Sequence, residues 1–345
     1  MLKSLLNERN IPQFKTKEEM LDIIQREEYG YIPKKPDDVT YSINDNYIHN
    51  FCAGKALGRK VEATYKIDGR EFTFQFYVSI PKKEGKHPFF VSINFRDNVP
   101  DRFLPVEEII DNGFAVISFC YQDVTKDNDD FTDGLAGLLY KDGKRGESDA
   151  GKIAMWAWAA QRVMDYAQTL DSLDLENAVV CGHSRLGKTA LLAGATDERF
   201  KFAFSNDSGC CGAAITRGKG GENIDKICER FPFWFCENLK KYRNKEEEMP
   251  FDQHYLAACV APRCVYVASA KDDLWADPVS EFLNCVAISE VYEKQGLKGL
   301  VSPDRLPQTG EVFHEGNVGY HMREGLHYFG REDWNKAMDF VRKHM

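Results

Sequence analysis

Polar and apolar positions along the chain change period several times, and each change predicts an element. "TKEEMLDIIQREEYG" has helical spacing, with Thr16 and Glu19 placed as a capping box. "KVEATYKIDGREFTFQFYVSI" alternates on both sides of Asp68-Gly69 and predicts a β-hairpin. "HPFFVSINF" (87–95) and "GFAVISFCY" (113–121) are short, nearly continuous apolar runs, as expected of parallel strands buried on both faces. "PVEEIIDNG" between them predicts a helix stopped by Gly113.

Further along, "KIAMWAWAAQRVMDYAQTL" predicts a strong helix, then "NAVVCGHS" a strand and "KTALLAGAT" a helix. "FKFAFSND" (200–207) and "RCVYVASA" (263–270) predict two more strands. "PVSEFLNCVAISEVYEKQG" predicts a helix, "NVGYHMR" a last strand and "EDWNKAMDFVRKH" a terminal helix. Residues 122–151 read as a long surface loop. Residues 208–255 lack a clear period and read as an inserted cap or cleft wall, with "FPFWF" (231–235) expected to pack it on the domain. Strands alternating with helices imply an α/β fold with a mostly parallel sheet, whose ligands gather at the strands' C-terminal ends. The expected organisation is a helical and extended arm over 1–50 packed on one domain spanning 51–345.

Composition narrows the function classes. The 45 Lys and Arg against 54 Asp and Glu leave a net charge of −9, which speaks against nucleic acid or an anionic membrane surface as partner. No stretch approaches the ~18 apolar residues of a membrane span. The N-terminal "MLKSLLNERNIPQF" lacks the apolar run of a leader peptide, and ten scattered cysteines are expected as free thiols, so the expected location is cytoplasmic. Cys210, Cys211, Cys228 and Cys236 show no C-x-x-C spacing, and no metal site is expected.

"AVVCGHSRLGKTALLAGA" (178–195) carries the chemistry, and it reads in two ways. Gly182 through Thr189 satisfies G-x-x-x-x-G-K-T, the phosphate-binding P-loop, for which Asp207 at the end of "FAFSND" could hold magnesium. The same residues read G-x-S-x-x-G, a sharp strand-to-helix turn presenting Ser184 as a nucleophile. The second reading demands an acid and a histidine downstream, in that order, at strand ends. Asp272 and Asp273 follow the strand 263–270, and His327 follows the last strand. That agreement favours a serine hydrolase, with His321 and His183 as lesser candidates for the base. The acid is left open between Asp273 and Asp207. Arg185 N–H points to the developing oxyanion, a second amide is expected from the loop after Phe95, and Lys188 lies one turn on. Leu186 stands where an ordinary elbow has glycine, with Gly187 one later. Arg217, Lys219 and Glu222 lie in the wall with no pattern to define their roles.

"CGHSRLGKTALLAGATDERF", together with "NDSGCCGAA", "PFDQHYLAACVAPR" and "DLWADP", resembles the glucuronoyl esterase family of carbohydrate esterases, whose elbow is G-C-S-R-x-G-K. "MWAWAAQRVMDY" is similar to that family's A-W-A-W stretch, and the likeness spans about residues 85–340. The resemblance implies an α/β-hydrolase fold and cofactor-free hydrolysis of an ester of a plant-wall oligosaccharide, a small carbohydrate ester. It matches Ser184 to the nucleophile and Arg185 to the oxyanion-stabilising arginine. Lys188 matches a sugar-contacting lysine and Trp275 an aromatic of the sugar site. His183 replaces the motif cysteine, and Asn206-Asp207 a usual Gln-Glu. An acetyl (xylan) esterase, the P-loop nucleotide-binding protein, and a non-catalytic binding protein of the same fold are the alternatives.

Overall fold

The computed structural model describes residues 1–45 and 50–345. Ten strands form one sheet: β1 Asp38–Asn44, β2 Ala56–Ile67, β3 Arg70–Pro81, β4 His87–Asn94, β5 Ala115–Cys120, β6 Leu173–His183, β7 Phe202–Asn206, β8 Cys264–Ala270, β9 Val312–Phe313 and β10 Val318–Arg323. Their order is β1-β2-β3-β5-β4-β6-β7-β8-β10-β9. From β5 to β10 every neighbouring pair is parallel, and β1, β2, β3 and β9 are antiparallel additions at the two ends. This is the mostly parallel α/β-hydrolase sheet expected from the pattern.

The buried apolar runs became central strands because helices cover both faces. All eight residues of β4 and all six of β5 are buried. Asp68 and Gly69 turn between β2 and β3 with positive φ of 48° and 76°, the backbone a two-residue hairpin turn needs. Thr16 and Glu19 close the capping box of the helix Lys17–Ile24, whose Met20 and Ile24 join the main core. The helix Lys152–Ala167 is buried all round except at Asp165, so it is a core element rather than a surface one.

Two expectations change. Residues 122–151 are not a plain surface loop: they contain the helices Tyr121–Val124 and Gly134–Leu139. The segment is tied down by Lys152, whose buried Nζ donates to Thr125 Oγ1 and Asp130 O and lies 3.3 Å from Asp133. The 208–255 insertion holds the helix Ile224–Arg230 and is fastened from within. There Arg217 donates to Phe251 O and pairs with the fully buried Asp252, whose carboxylate also accepts from Thr216 N. In the N-terminal arm, β1 pairs along β2 as the sheet edge, and residues 46–49 of the arm lie outside those described.

The turn from β6 into the helix Arg185–Thr196 is tight. A Cβ at Gly182 would stand 2.2 Å from Leu186 O, and one at Gly187 would stand 2.9 Å from Ser205 Oγ. The glycine absent from position 186 is therefore replaced in function by Gly187, which lets the helix approach β7. Gly182→Ala is expected to lower the unfolding free energy by about 1–3 kcal/mol, the usual cost of overpacking against rigid backbone. Urea denaturation of the two proteins measures it.

Candidate active site

Strand β6 runs through His183 and the next helix begins at Arg185, so Ser184 alone makes the turn. Its φ of 59° and ψ of −128° are strained for a residue with a side chain. Its N–H donates to Asn206 O at 2.9 Å, which ties the turn to β7, and its carbonyl accepts from Gly187 N and Lys188 N. This geometry excludes the P-loop reading: no loop remains between 182 and 187 to wrap a phosphate. Lys188 is also turned inward, donating to Ser208 O and Cys210 O.

Ser184 opens on a cavity of about 320 Å³ at the C-terminal ends of β6, β7 and β8. His327 lies in the same cavity, in the turn after β10, with its Nδ1 donating to Asp273 Oδ2 at 2.6 Å. The His327 side chain is 43% exposed and that of Asp273 only 5%. Burial works to raise the Asp273 carboxyl, but the hydrogen bond and charge of His327 outweigh it, and the group lies below the ordinary carboxylate value. Asp273 Oδ1 also accepts from Ala276 N at 3.2 Å, which holds the acid against rotation.

Asp207 has a different set of partners. It accepts from Ala270 N at 2.7 Å and Tyr328 N at 3.3 Å, and Arg323 donates to its Oδ2 at 2.9 Å. Ligand atoms of Asp207, Asp273 and His327 all fall within 4.8 Å of one another, so both acids reach the site, yet only Asp273 is hydrogen-bonded to the imidazole. Asp272 is an exposed turn residue whose N–H donates to Gly325 O. His321 is locked in the core between Tyr266 OH and Asp333 Oδ1.

His183 lies beneath His327, their ring centroids 4.3 Å apart, and is hydrogen-bonded to Asn206 Oδ1 at 2.6 Å. Burial first, and the neighbouring His327 charge second, hold its pKa down to about 3. It is a neutral packing surface for the second imidazole, in place of the motif cysteine.

The Arg185 guanidinium is ion-paired with Asp127 and lies 4.6 Å from the Trp234 ring centroid. Asp127 is held in turn by Trp234 Nε1 at 2.6 Å and Tyr121 OH at 2.8 Å. Arg185 N–H is the first amide of its helix and has no acceptor within it. The amide of Phe95 is taken by Asn94 Oδ1, and none of the residues lining the cavity comes from the loop after Phe95.

On the far wall, Trp275 is 40% exposed and donates through Nε1 to Glu222 Oε1 at 3.2 Å. Glu222 Oε2 lies 3.7 Å from Lys188 Nζ. The insertion thus delivers Glu222 to the site, which no local pattern announced; the readable signal was only its position in a wall facing "DLWADP". "FPFWF" both packs and lines: Phe235 is in the core, whereas Phe231 and Trp234 stack at 3.9 Å on the cavity side.

Comparison with known proteins shows the family. A family model for glucuronyl esterases of fungi matches residues 63–296. The chain belongs to the glucuronyl esterase family. It is 38% identical over 242 residues to a carbohydrate esterase of an unknown prokaryotic organism, covering 70% of this chain and 56% of that protein. It is 27% identical to a 4-O-methyl-glucuronoyl methylesterase of Podospora anserina, covering 79% and 54%. The chain therefore spans little more than half the length of these relatives. Among solved structures, a promiscuous CE15 esterase from a marine bacterial metagenome superposes with a TM-score of 0.84 at 30% identity, covering 96% of this chain and 91% of that one. A glucuronoyl esterase from Solibacter usitatus gives 0.83 at 32%, covering 95% and 91%.

Within this glucuronyl esterase fold, His183 has a measurable signature. Because its native pKa is about 3 against an ordinary 6.5, the unfolded chain binds the proton first. Its contribution to stability is complete above pH 6.5 and is lost as the pH falls toward 3. His183→Cys is expected to flatten the fall in unfolding free energy between neutral and acid pH, as measured by urea titration at each pH.

Proposed function

We propose that the protein is a serine carbohydrate esterase that hydrolyses a glucuronoyl-type ester of a plant-wall oligosaccharide through an acyl-enzyme. The observation that carries the reading is Ser184 held at positive φ on the cavity that also contains the 2.6 Å Asp273–His327 pair. Ser184 Oγ attacks the ester carbonyl while His327 takes its proton, and Asp273 stabilises the imidazolium that forms. The negative charge that develops on the carbonyl oxygen is met by Arg185 N–H and the nearby guanidinium, whose position Asp127 and Trp234 fix in advance. His327 returns the proton to the leaving alcohol, and water attacks the acyl-enzyme by the reverse sequence.

The acyl half fits a sugar. Trp275 offers an exposed ring for stacking, and Glu222, held 3.7 Å from the inward-turned Lys188 ammonium, supplies an acceptor for a hydroxyl beside it. Asp207, paired with Arg323, maintains the turn that carries His327. All ten cysteines are unpaired and nine of them are buried, which supports a reducing compartment and so processing inside the cell.

A panel of methyl glucuronate and acetylated xylo-oligosaccharide esters tests the assignment, the first expected to be turned over with the higher kcat/KM. Ser184→Ala is expected to abolish turnover of both while retaining the wild-type thermal transition; residual activity at the wild-type level would refute the acyl-enzyme. The two acids separate by readout. Asp273→Asn is expected to lower kcat by about 10³–10⁴, as loss of a triad acid does. Asp207→Asn removes one of the two carboxylates on the buried Arg323, which keeps Asp333 at 3.0 Å, and is expected to cost about 1–3 kcal/mol of stability, with the smaller effect on kcat.

A further inference from the structure

Each charged side chain lining the Ser184 cavity has an opposite charge within the protein, with one exception. Arg185 has Asp127, Lys188 has Glu222, Asp207 has Arg323 and Asp273 has His327. Arg230, on the cavity rim, has no carboxylate within 4.0 Å among the described residues; its guanidinium lies 4.9 Å from the Trp275 ring centroid. Lys226 stands one helical turn before it on Ile224–Arg230, with its Nζ 5.3 Å from the same ring. Its ammonium donates to Gly221 O and likewise meets no carboxylate.

Two like charges at i and i+4 oppose helix formation. Here both are exposed and both are drawn over one aromatic ring at the mouth of a site. The whole chain, these two cations included, carries a net charge of −9, and the cavity itself holds three carboxylates. Among the charged groups described at the cavity and its rim, the cations without a carboxylate partner lie along this edge.

We propose that Lys226 and Arg230 form an anion subsite that takes a second, free carboxylate of the glycan, beside the sugar stacked on Trp275. This rests on the esterase reading above and specifies its substrate: an ester carried next to a free uronate rather than next to a neutral sugar. The class of compound is one the reaction itself makes, because each ester cleaved leaves a carboxylate on the chain. A fork of guanidinium donors with an ammonium beside it matches a carboxylate's two oxygens.

The test compares two substrates of one size, a di-uronic acid bearing one methyl ester and one free carboxylate, and its neutral dimethyl ester. The wild-type enzyme is expected to favour the charged monoester in kcat/KM by about threefold to fivefold, the range of an exposed ion pair, through KM. Lys226→Gln with Arg230→Gln is expected to bring that ratio to one, as is raising the ionic strength. Both positions are exposed, and an unchanged thermal transition confirms folding. A double variant that keeps the preference, or a wild type that favours the neutral diester, overturns the proposal. If the wild type cleaves neither ester, the esterase reading fails, and calorimetry of di-uronic acid on Ser184→Ala decides the subsite separately. Binding lost with the two substitutions supports it, and binding unaffected by them overturns it.

Discussion

The hydrogen bond from Ser184 N–H to Asn206 O is the constraint on which the site depends. It fastens the turn leaving β6 to the end of β7 and holds a side-chain-bearing residue in a backbone region that costs of order 1–3 kcal/mol. That conformation persists because the surroundings over-determine it. Gly182 lets the Leu186 carbonyl come within what would be contact distance of a Cβ, and Gly187 lets the helix settle on Ser205 and Ser208. The strain, the two glycines and the half-buried Ser184 on the cavity are one feature seen at three positions.

Around this turn the charges are arranged in nested pairs. Asp273 is spent on His327, and Arg323 holds Asp207, which in turn accepts from the Tyr328 amide next to the His327 imidazole. His183 closes the underside of that imidazole without adding charge. Arg185 is anchored by a carboxylate from the segment before the core helix and by an aromatic from the insertion. Parts of the chain far apart in sequence therefore meet at one side chain, and the insertion is as much part of the site as the strands are.

The central strands and their helices were readable because double-sided burial demands continuous apolar runs, as in β4, β5, β7 and β8. β1 was not read as a strand: "DVTYSIN" is an edge with largely exposed faces, so its polar composition resembles a loop's. Ser184, Asp273 and His327 were readable because each occupies a strand end in a set order. The choice between Asp207 and Asp273 was not, since both sit at strand ends and only through-space pairing separates them. Asp127 and Arg323 were missed, and Glu222 was placed in the wall without a role, for the same reason: their partners lie 58, 116 and 34 positions away or are aromatic groups of another segment.

The strand order has a consequence for how the molecule tolerates change. Ser184, Asp207, Asp273 and His327 all issue from β6, β7, β8 and β10, which are adjacent in the sheet, whereas β1, β2 and β3 form the opposite end. The long hairpin is bonded to the parallel region through only a short register with β5, Tyr77 to Ser79 against Val116 to Ser118. Variation along the largely exposed β1 edge thus falls at the far end of the sheet from Ser184, whereas β2 and β3 stay bound to the core through Tyr65, Phe74 and Phe76.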